Sequence, residues 1–352
     1  MSLGFRKDIF SKSKISWSKE IDKKIYKDIN YIVKTYISTS DFNIKKNKGL
    51  EINSNNFKIE FKSQSFLLKK WNKNMKIIDI EYVLNLMIWL KNKKIPVQMP
   101  QYFSNKKYFI KYKNDFWSFF NFIDGDHFKG NINELKNVAK YIGQLSTKLQ
   151  KYPNHKHTNN YKYFSFKDYK VLNKMNSKNF DLEKKFGKKD GKIIKNYLPE
   201  IMNLFEKLKN FDQKKYKKKM GHLDLHPHNI ITKNNMTQAF LDIGSCRIIQ
   251  GEQHVAYGAL KLCKQAVVNN KKRTIKRKVI NKFINIFEKE YYLKKNIKKN
   301  LYYFAVSEVL RRLIYIFRLS IEYNNRKWNK IIPIQLGHLD ECKEFFLVNK
   351  IE

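Results

Sequence analysis

The spacing of apolar residues changes about a third of the way along the chain. After a helical repeat within residues 1–45, the first third has short apolar runs broken by polar residues, a pattern typical of antiparallel strands. It also contains one apolar helix, predicted over about 79–93. From residue 124 onwards apolar residues mostly recur three or four positions apart, which predicts helices. The pattern therefore indicates an α+β protein with a small, antiparallel β-rich N-lobe and a larger, mostly helical C-lobe.

The elements can be placed more closely from the same pattern. Strands are expected within 50–71, before residue 123, and as a short ribbon within 220–243. Further helices are expected over 133–150, 192–209, 255–269, 276–292 and 300–323. The polar segment 151–190 has no clear period and is expected to wrap the surface. We divide the chain into an N-terminal helical extension (1–45), an N-lobe (46–123) and a C-lobe (124–352).

One helical stripe in the C-lobe carries arginines beside it. The stripe consists of Val306, Leu310, Leu313 and Phe317, and the arginines are Arg311, Arg312 and Arg318. Apolar residues at this spacing form one face of a helix, so the segment indicates core packing.

Charge and cysteine content narrow the class of protein. The 352 residues include 73 Lys and Arg against 31 Asp and Glu, a net charge of +42. Such a surplus attracts polyanions, so weak association with nucleic acid or an acidic membrane face is one expectation. The 3 cysteines form no CxxC pair, which argues against a disulfide framework and favours a cytoplasmic protein. No window is long and apolar enough to span a membrane, and 77–90 is predicted to be a buried helix.

Candidate chemistry is concentrated in one segment, GHLDLHPHNIITKNNMTQAFLDIGSCR (221–247). Its pattern predicts a strand, a loop, a hairpin through Lys233 to Asn235, and a second strand. Asp224, Asn229 and Asp242 then lie at the rim of one small ribbon. Carboxylate and amide oxygens are the ligands that magnesium prefers, so this cluster suits a cation that holds a polyphosphate.

The segment resembles the aminoglycoside phosphotransferase and choline kinase family, the small-molecule branch of the protein-kinase-like fold. The family signature is H-x-D-x-x-x-x-N followed, after a hairpin, by an Asp behind an apolar strand. Its four positions are matched by His222, Asp224, Asn229 and Asp242. The resemblance implies that Asp224 orients or deprotonates an attacking hydroxyl and that Asn229 and Asp242 bind Mg²⁺ beside ATP. His222 would be an internal hydrogen-bonding brace.

The resemblance extends into the N-lobe and predicts a nucleotide site there. FLLKKW resembles the family's third strand, which makes Lys69 the partner of the ATP phosphates, with Lys70 as the alternative one residue along. An acid on the next helix should pair with that lysine; Glu81 is the first choice and Asp79 the second. The segment 85–97 resembles the corresponding helix of bacterial homoserine kinases.

Two further N-lobe segments are assigned by the same resemblance. The segment 119–125, FFNFIDG, resembles the strand and hinge whose backbone binds adenine, which places Ile123 at the nucleotide. The turn Asn53 to Asn56 would cover the phosphates, with Asn56 as a contact. That turn has no glycine, although asparagine tolerates left-handed turns.

Charge also bears on the acceptor. Residues 250–352, where such folds add acceptor-site helices, contain 9 acids against 22 Lys and Arg. The family's D-x-A stretch has no counterpart in HVAYGALKLC (254–263). The expected substrate is therefore a small-molecule hydroxyl that is anionic or zwitterionic and not polycationic.

Three alternatives stay open at this stage. A catalytically weak pseudokinase or nucleotide-binding scaffold would keep the fold without turnover. A protein that binds nucleic acid or a membrane surface would account for the charge. A zinc site could use His222, Asp224, His226 and His228, although Pro227 interrupts the strand that would align them.

Overall fold

The computed structural model describes residues 14–37, 41–47, 55–103, 106–153, 164–211, 216–269 and 276–348. The N-lobe is built on one antiparallel sheet in the order β1-β2-β3-β4-β7-β5, with β6 paired to β7. Its strands are β1 (Trp17–Ser18), β2 (Asn43–Asn47), β3 (Asn55–Phe61), β4 (Gln64–Lys70), β5 (Pro100–Gln101), β6 (Ile110–Tyr112) and β7 (Asp115–Asn121). Its helices are α1 (Lys23–Ile37) and α2 (Ile77–Asn92).

The two faces of this sheet are buried against different helices. Successive side chains of a strand point to opposite faces. On β4, Leu68 packs in an outer cluster with Ile29 and Ile32 of α1. Leu67 instead joins a larger cluster that contains α2 and continues into the C-lobe. The sheet is therefore a wall with a helix on its outer face and the rest of the molecule on its inner face.

The segment 1–45 is not a separate helical extension. It contributes β1, α1 and part of β2 to the N-lobe, since Trp17 pairs with Asn47 and Ile44 pairs with Ile59. The helix was predicted correctly. The two strands were missed because β1 has two residues and β2, NIKKN, lacks the alternation of apolar and polar residues that marks a half-buried strand.

The C-lobe consists of helices around small strand pairs. Its strands are β8 (Asp126–His127), β9 (Lys218–His222), β10 (Ile230–Lys233), β11 (Met236–Phe240) and β12 (Cys246–Gln250). Its first helices are α3 (Ile132–Leu149), α4 (Phe166–Asn176), α5 (Leu182–Phe186), α6 (Lys188–Asn210) and α7 (Gln253–Asn269). The remaining helices are α8 (Lys276–Glu288), α9 (Lys295–Lys299), α10 (Leu301–Glu322) and α11 (Ile332–Lys343). The α+β arrangement predicted from the sequence is confirmed.

Helices α7 and α10 form the centre of the C-lobe. Nearly every residue of α7 from Gln253 to Val267 is buried. The predicted stripe on α10 is confirmed as core packing, since all four of its apolar members are buried. The larger apolar cluster joins these helices to α2, so the two lobes share one continuous core.

The prediction that 151–190 wraps the surface without regular structure is wrong for its second half. That half forms α4 and α5, while 154–163 lie outside the described residues. Each helix begins at a side-chain cap. Ser165 and Asp168 form a reciprocal capping box, and Asp181 accepts from the backbone N–H of Lys184. These caps start helices whose apolar periodicity is too weak to predict them.

Two further facts hold for the part of the chain that the structure describes. None of its helices has both the length and the apolar content needed to cross a bilayer. The three cysteines, Cys246, Cys263 and Cys342, are buried and unbonded.

Candidate active site

The segment 221–247 forms two strand pairs with a loop between them. Strand β9 pairs with β12, and β10 forms a hairpin with β11. The hairpin turns on Asn234 and Asn235, both with positive φ, a conformation that asparagine tolerates better than most residues. Between β9 and β10 runs the loop 223–229, which ends in a 3₁₀ turn at Pro227–Asn229. Asp242 lies two residues after the end of β11, so the chain brings all three predicted oxygen-bearing groups to one end of the ribbon.

Asp224 and Asn229 are joined by hydrogen bonds within the loop. The Asn229 amide nitrogen donates to the backbone oxygen and to Oδ2 of Asp224, each at 2.9 Å. These two bonds fix which end of the amide is nitrogen. Asn229 Oδ1 makes no hydrogen bond with the described residues, so it stays available as an oxygen ligand.

Asp242 is held next to this loop. The backbone N–H of Leu241 donates to Asn229 O at 2.8 Å, which fixes β11 against the loop. Asp242 itself is exposed and has φ of 50°, in the left-handed region. Ser245 Oγ donates to its Oδ2 at 2.5 Å. The left-handed backbone at Asp242 marks the point where the chain leaves the ribbon, and such strain is common at functional sites.

His222 connects the loop that carries Asp224 to the end of β11 that leads to Asp242. Its Nδ1 accepts from the backbone N–H of Asp224 at 3.2 Å, so its Nε2 carries the proton and donates to Leu241 O at 2.9 Å. Burial lowers the pKa of His222, which keeps the ring neutral. The imidazole thus links Leu241, the residue before Asp242, to the backbone of Asp224 and fixes the distance between them.

Arg312 of α10 also contacts Asp224, which the sequence did not indicate. Its Nη2 donates to Asp224 Oδ1 and to Leu223 O, each at 2.9 Å. Its Nε donates to Glu308 Oε1 at 2.7 Å, and its guanidinium carbon lies 4.4 Å from the centre of the Tyr257 ring. The local signal was only an Arg four residues after a Glu on an apolar helix. Nothing in that spacing points to a residue 88 positions away.

The charge of Asp224 is set by opposing effects. Burial on its own raises the pKa of this carboxyl, but the neighbouring His226 and Arg312 together hold the pKa well below its usual range. His226 Nε2 lies 3.4 Å from Asp224 Oδ2. Asp224 is therefore a carboxylate at physiological pH, as an acceptor of a hydroxyl hydrogen bond must be.

The donor set at the end of the ribbon fits Mg²⁺ better than Zn²⁺. Among the described residues, no three side chains of His, Cys, Asp or Glu are placed to hold one metal ion, so the zinc alternative has no support. Asn229 Oδ1 and the Asp242 carboxylate offer oxygen ligands only. Two protein oxygens suit Mg²⁺, which usually keeps waters and completes its shell with substrate phosphates.

The predicted nucleotide residues lie on the inner face of the N-lobe sheet. Lys69 shares that face with Leu67 and lies over the Trp71 ring, with Nζ 4.8 Å from the ring centre. Lys70 points to the other face, where its Nζ lies 2.6 Å from Asp115 Oδ2. Geometry therefore separates the two alternatives and leaves Lys69 towards the C-lobe.

The predicted phosphate-covering turn is placed differently in the structure. Asn55 and Asn56 belong to strand β3, where Asn56 pairs directly with Lys69 of β4. Asn53 and Ser54 lie outside the described residues. The connection between β2 and β3 runs over 48–54, which contains Gly49, so the argument from a glycine-free turn does not hold for this connection.

The two acids proposed for α2 differ in position. Glu81 is exposed, and no ion pair joins it to Lys69. A Cβ built on Gly244, two residues after Asp242, would lie 3.5 Å from the Cγ2 of Val83. Asp79 lies one helical turn before Val83 and shares its face, whereas Glu81 is two residues away on the opposite side. Asp79 is half-buried and accepts from the backbone N–H of Lys76 at 3.2 Å.

The connection between the lobes is fixed against the β10–β11 hairpin. Strand β7 ends at Asn121 and β8 begins at Asp126, which leaves Ile123 partly buried in the connection. Gly125 has φ of 145°, and a Cβ there would lie 2.6 Å from the backbone oxygen of Thr232. Only glycine allows this approach, which seats the hinge next to β10.

Comparison with known proteins gives a consistent picture of the fold. No family model matches the sequence, and no curated protein matches it. Solved structures do match. Spectinomycin phosphotransferase, bound to ADP and spectinomycin, has a TM-score of 0.66 and 14% identity over 90% of this chain and 93% of that chain.

Two further structures differ in their named substrates. A microcompartment-associated aminopropanol kinase has a TM-score of 0.59 and 10% identity, covering 94% of this chain and 99% of its own. Ethanolamine kinase of Plasmodium vivax has a TM-score of 0.54 and 13% identity, covering 94% and 90%. Likeness at such identities shows the fold. The resemblance seen in the sequence is confirmed at that level: this chain has the bilobal, kinase-like fold of the aminoglycoside phosphotransferases and choline kinase-like proteins.

Proposed function

We propose that this protein is an ATP-dependent phosphotransferase that transfers a phosphoryl group to the hydroxyl of a small molecule. One observation carries the proposal: Asp224, Asn229 and Asp242 converge at the end of one ribbon, held by His222. The fold supports it, because the solved structures of similar fold include kinases of spectinomycin, aminopropanol and ethanolamine. A hydroxyl acceptor is the chemistry that these substrates share.

In this proposal the C-lobe performs the transfer. Asp224 accepts a hydrogen bond from the acceptor hydroxyl and aligns its oxygen with the terminal phosphorus. Asn229 Oδ1 and the Asp242 carboxylate would hold Mg²⁺, which would supply positive charge beside the phosphates. His222 keeps the two acids in register. Alignment and charge neutralisation, with no covalent intermediate on the protein, account for the rate.

The N-lobe binds the nucleotide. Lys69 pairs with the ATP phosphates from the inner face of the sheet, beside Asn56 on the neighbouring strand. The backbone around Ile123 takes the adenine. The acid that pairs with Lys69 is Asp79 in preference to Glu81. Asp79 lies on the face of α2 that packs against Gly244, two residues after Asp242. Structures of similar fold bind ADP or AMP-PNP, which supports a nucleotide here.

The test is phosphoryl transfer from Mg²⁺–ATP to a panel of hydroxyl compounds, with Asp224→Asn as the diagnostic variant. We expect its turnover to fall by about two orders of magnitude or more, as when a positioned acid–base group is removed. Asp181→Asn makes the same chemical change at the N-cap of α5, where asparagine caps equally well, and should keep full activity. Undiminished transfer by Asp224→Asn would refute the assigned role.

This assay, together with measurements of ATP and polyanion binding, separates the rival functions. A pseudokinase or scaffold would bind ATP without transferring phosphate to any acceptor. A protein that binds nucleic acid or a membrane surface would bind polyanions with a steep dependence on salt and would not bind ATP.

A further inference from the structure

Arg312 is placed at the point where an acceptor must bind. Arg312 Nη2 donates to Asp224 Oδ1 at 2.9 Å. A substrate hydroxyl that binds the Asp224 carboxylate would therefore lie next to the Arg312 guanidinium. The side chains of Arg312 and Asp224 are each 25% exposed, so part of each is accessible to a ligand. Nη1 of Arg312 makes no hydrogen bond with the described residues. One donor edge of the guanidinium is thus available beside the catalytic carboxylate.

The helices behind Arg312 add positive charge to this region. Arg311 and Arg312 both bind Glu308, so two guanidinium groups share one buried carboxylate. On α7, the buried Lys261 and Lys264 lie 3.0 Å and 3.4 Å from the two ring nitrogens of His338 on α11. Glu341 of α11 lies 3.0 Å from Lys264. Among these residues and Asp224, four Lys and Arg side chains accompany three Asp and Glu side chains.

His338 does not add a fifth cation, because its surroundings lower its pKa. Burial, and after it the charges of Lys261 and Lys264, hold the pKa of His338 well below its usual range. The charge of Arg312 acts in the same direction. The imidazole is therefore neutral, and the basic side chains of this region lie on α7 and α10, while α11 contributes the Glu341 carboxylate, 2.6 Å from His338 Nδ1.

We infer that the phosphate acceptor carries an anionic group, a carboxylate or a phosphate, a short distance from the hydroxyl that is phosphorylated, and that Arg312 binds this group. The inference rests on the proposed function and specifies its substrate class. An anion can accept from Nη1 while its neighbouring hydroxyl meets Asp224. Guanidinium groups recognise carboxylate and phosphate oxygens through such directed hydrogen bonds. An ammonium group in the same place would face Arg312 with Lys261 and Lys264 behind it.

The first experiment compares acceptors that differ only in charge. Wild-type protein with Mg²⁺–ATP is assayed on glycerate, glycerol phosphate, glycerol and ethanolamine, and on sugar phosphates with their parent sugars. We expect kcat/KM for an anionic acceptor to exceed that of its neutral counterpart by at least about tenfold. The glycerate and glycerol phosphate arms distinguish a carboxylate from a phosphate. Preference for ethanolamine or for neutral acceptors overturns the inference while leaving the proposed function intact.

The second experiment assigns the preference to Arg312. In Arg312→Met we expect the anionic-to-neutral ratio of kcat/KM to fall to within about threefold of one, with a raised KM for the anionic acceptor. Arg312→Lys keeps the charge and should retain part of the ratio. Arg318→Met, on the same helix but bound to Glu322 and Asp168, should leave the ratio unchanged.

These variants keep the inference falsifiable. A structural role alone would lower kcat for anionic and neutral acceptors equally, since both depend on the position of Asp224. An unchanged ratio in Arg312→Met therefore overturns the assignment even if total activity drops. If the wild-type protein binds ATP but phosphorylates none of the acceptors, the proposed function fails and the inference fails with it.

Discussion

The C-lobe and N-lobe parts of the proposed site are prepared to different degrees. On the C-lobe side, Asp224 is held by Asn229, by the ring of His222 and by Arg312, through bonds of 2.9–3.2 Å. On the N-lobe side, Lys69 lies against Trp71, and no ion pair connects it to Glu81. The C-lobe residues are thus joined by polar contacts within the protein, whereas Lys69 contacts an aromatic ring and, in the proposed function, has the nucleotide as its polar partner.

This difference has a kinetic consequence. Groups that are preorganised around the reacting atoms act mainly on the transition state, and groups that become ordered on binding act mainly on affinity. Substitutions in the C-lobe ribbon should therefore lower kcat. Substitutions on the inner face of the N-lobe sheet should chiefly raise the KM for ATP.

The largest effect is expected at Asp242. Its carboxylate is exposed and binds only Ser245 among the described residues, so its replacement costs little fold stability. In Asp242→Asn we expect kcat to fall by about three orders of magnitude, because a metal ion contributes several kcal/mol of charge stabilisation. Steady-state kinetics at saturating ATP measure the loss, and thermal unfolding checks the fold.

Ser245→Ala provides the matched control for Asp242. It removes the hydroxyl that donates to Asp242 and keeps the carboxylate. A decrease of less than about tenfold is expected, since one neutral hydrogen bond is lost. Equal losses in the two variants would show that Asp242 acts through its hydrogen bond and not through a metal.

The second effect, of intermediate size, compares neighbouring lysines. Lys69→Met should raise the KM for ATP by roughly tenfold to a hundredfold, because a charge-assisted phosphate contact is lost. Lys70→Met should leave the KM for ATP within about threefold of wild type. It removes a mostly buried ion pair and leaves the Asp115 carboxylate unpaired, which should lower the free energy of unfolding by about 1–3 kcal/mol. If the KM changes were reversed, the nucleotide would lie on the opposite face of the sheet.

The contrast between lobes also decides what could be predicted from sequence. The residues of the C-lobe site lie on one continuous segment, and their spacing along a strand, loop and hairpin fixes their proximity. The signature therefore located Asp224, Asn229 and Asp242 together. In the N-lobe the relevant residues come from separate strands, so each was placed only by analogy with a strand order.

Residues whose partners are distant in sequence were beyond prediction. Arg312 lies beside an apolar stripe typical of a core helix, and its contact with Asp224 depends on how α10 crosses the loop 223–229. Asn56 was assigned to a turn because polar residues cluster around it, yet pairing with Lys69 draws it into β3. The choice between Asp79 and Glu81 likewise depends on which face of α2 meets the turn at Gly244, and local apolar spacing did not reveal that.

The smallest effect concerns those two acids and is the most direct test of ordering by the nucleotide. Asp79→Asn should raise the KM for ATP by about threefold to tenfold, because the proposed support of Lys69 by this carboxylate would be lost. Glu81→Gln should stay within twofold, because Glu81 is exposed on the opposite side of α2. Asp79 also accepts from Lys76, so thermal unfolding must be compared before KM values are interpreted. A larger KM change in Glu81→Gln would mean that α2 rotates on nucleotide binding, and the N-lobe would then rearrange more than its strand register suggests.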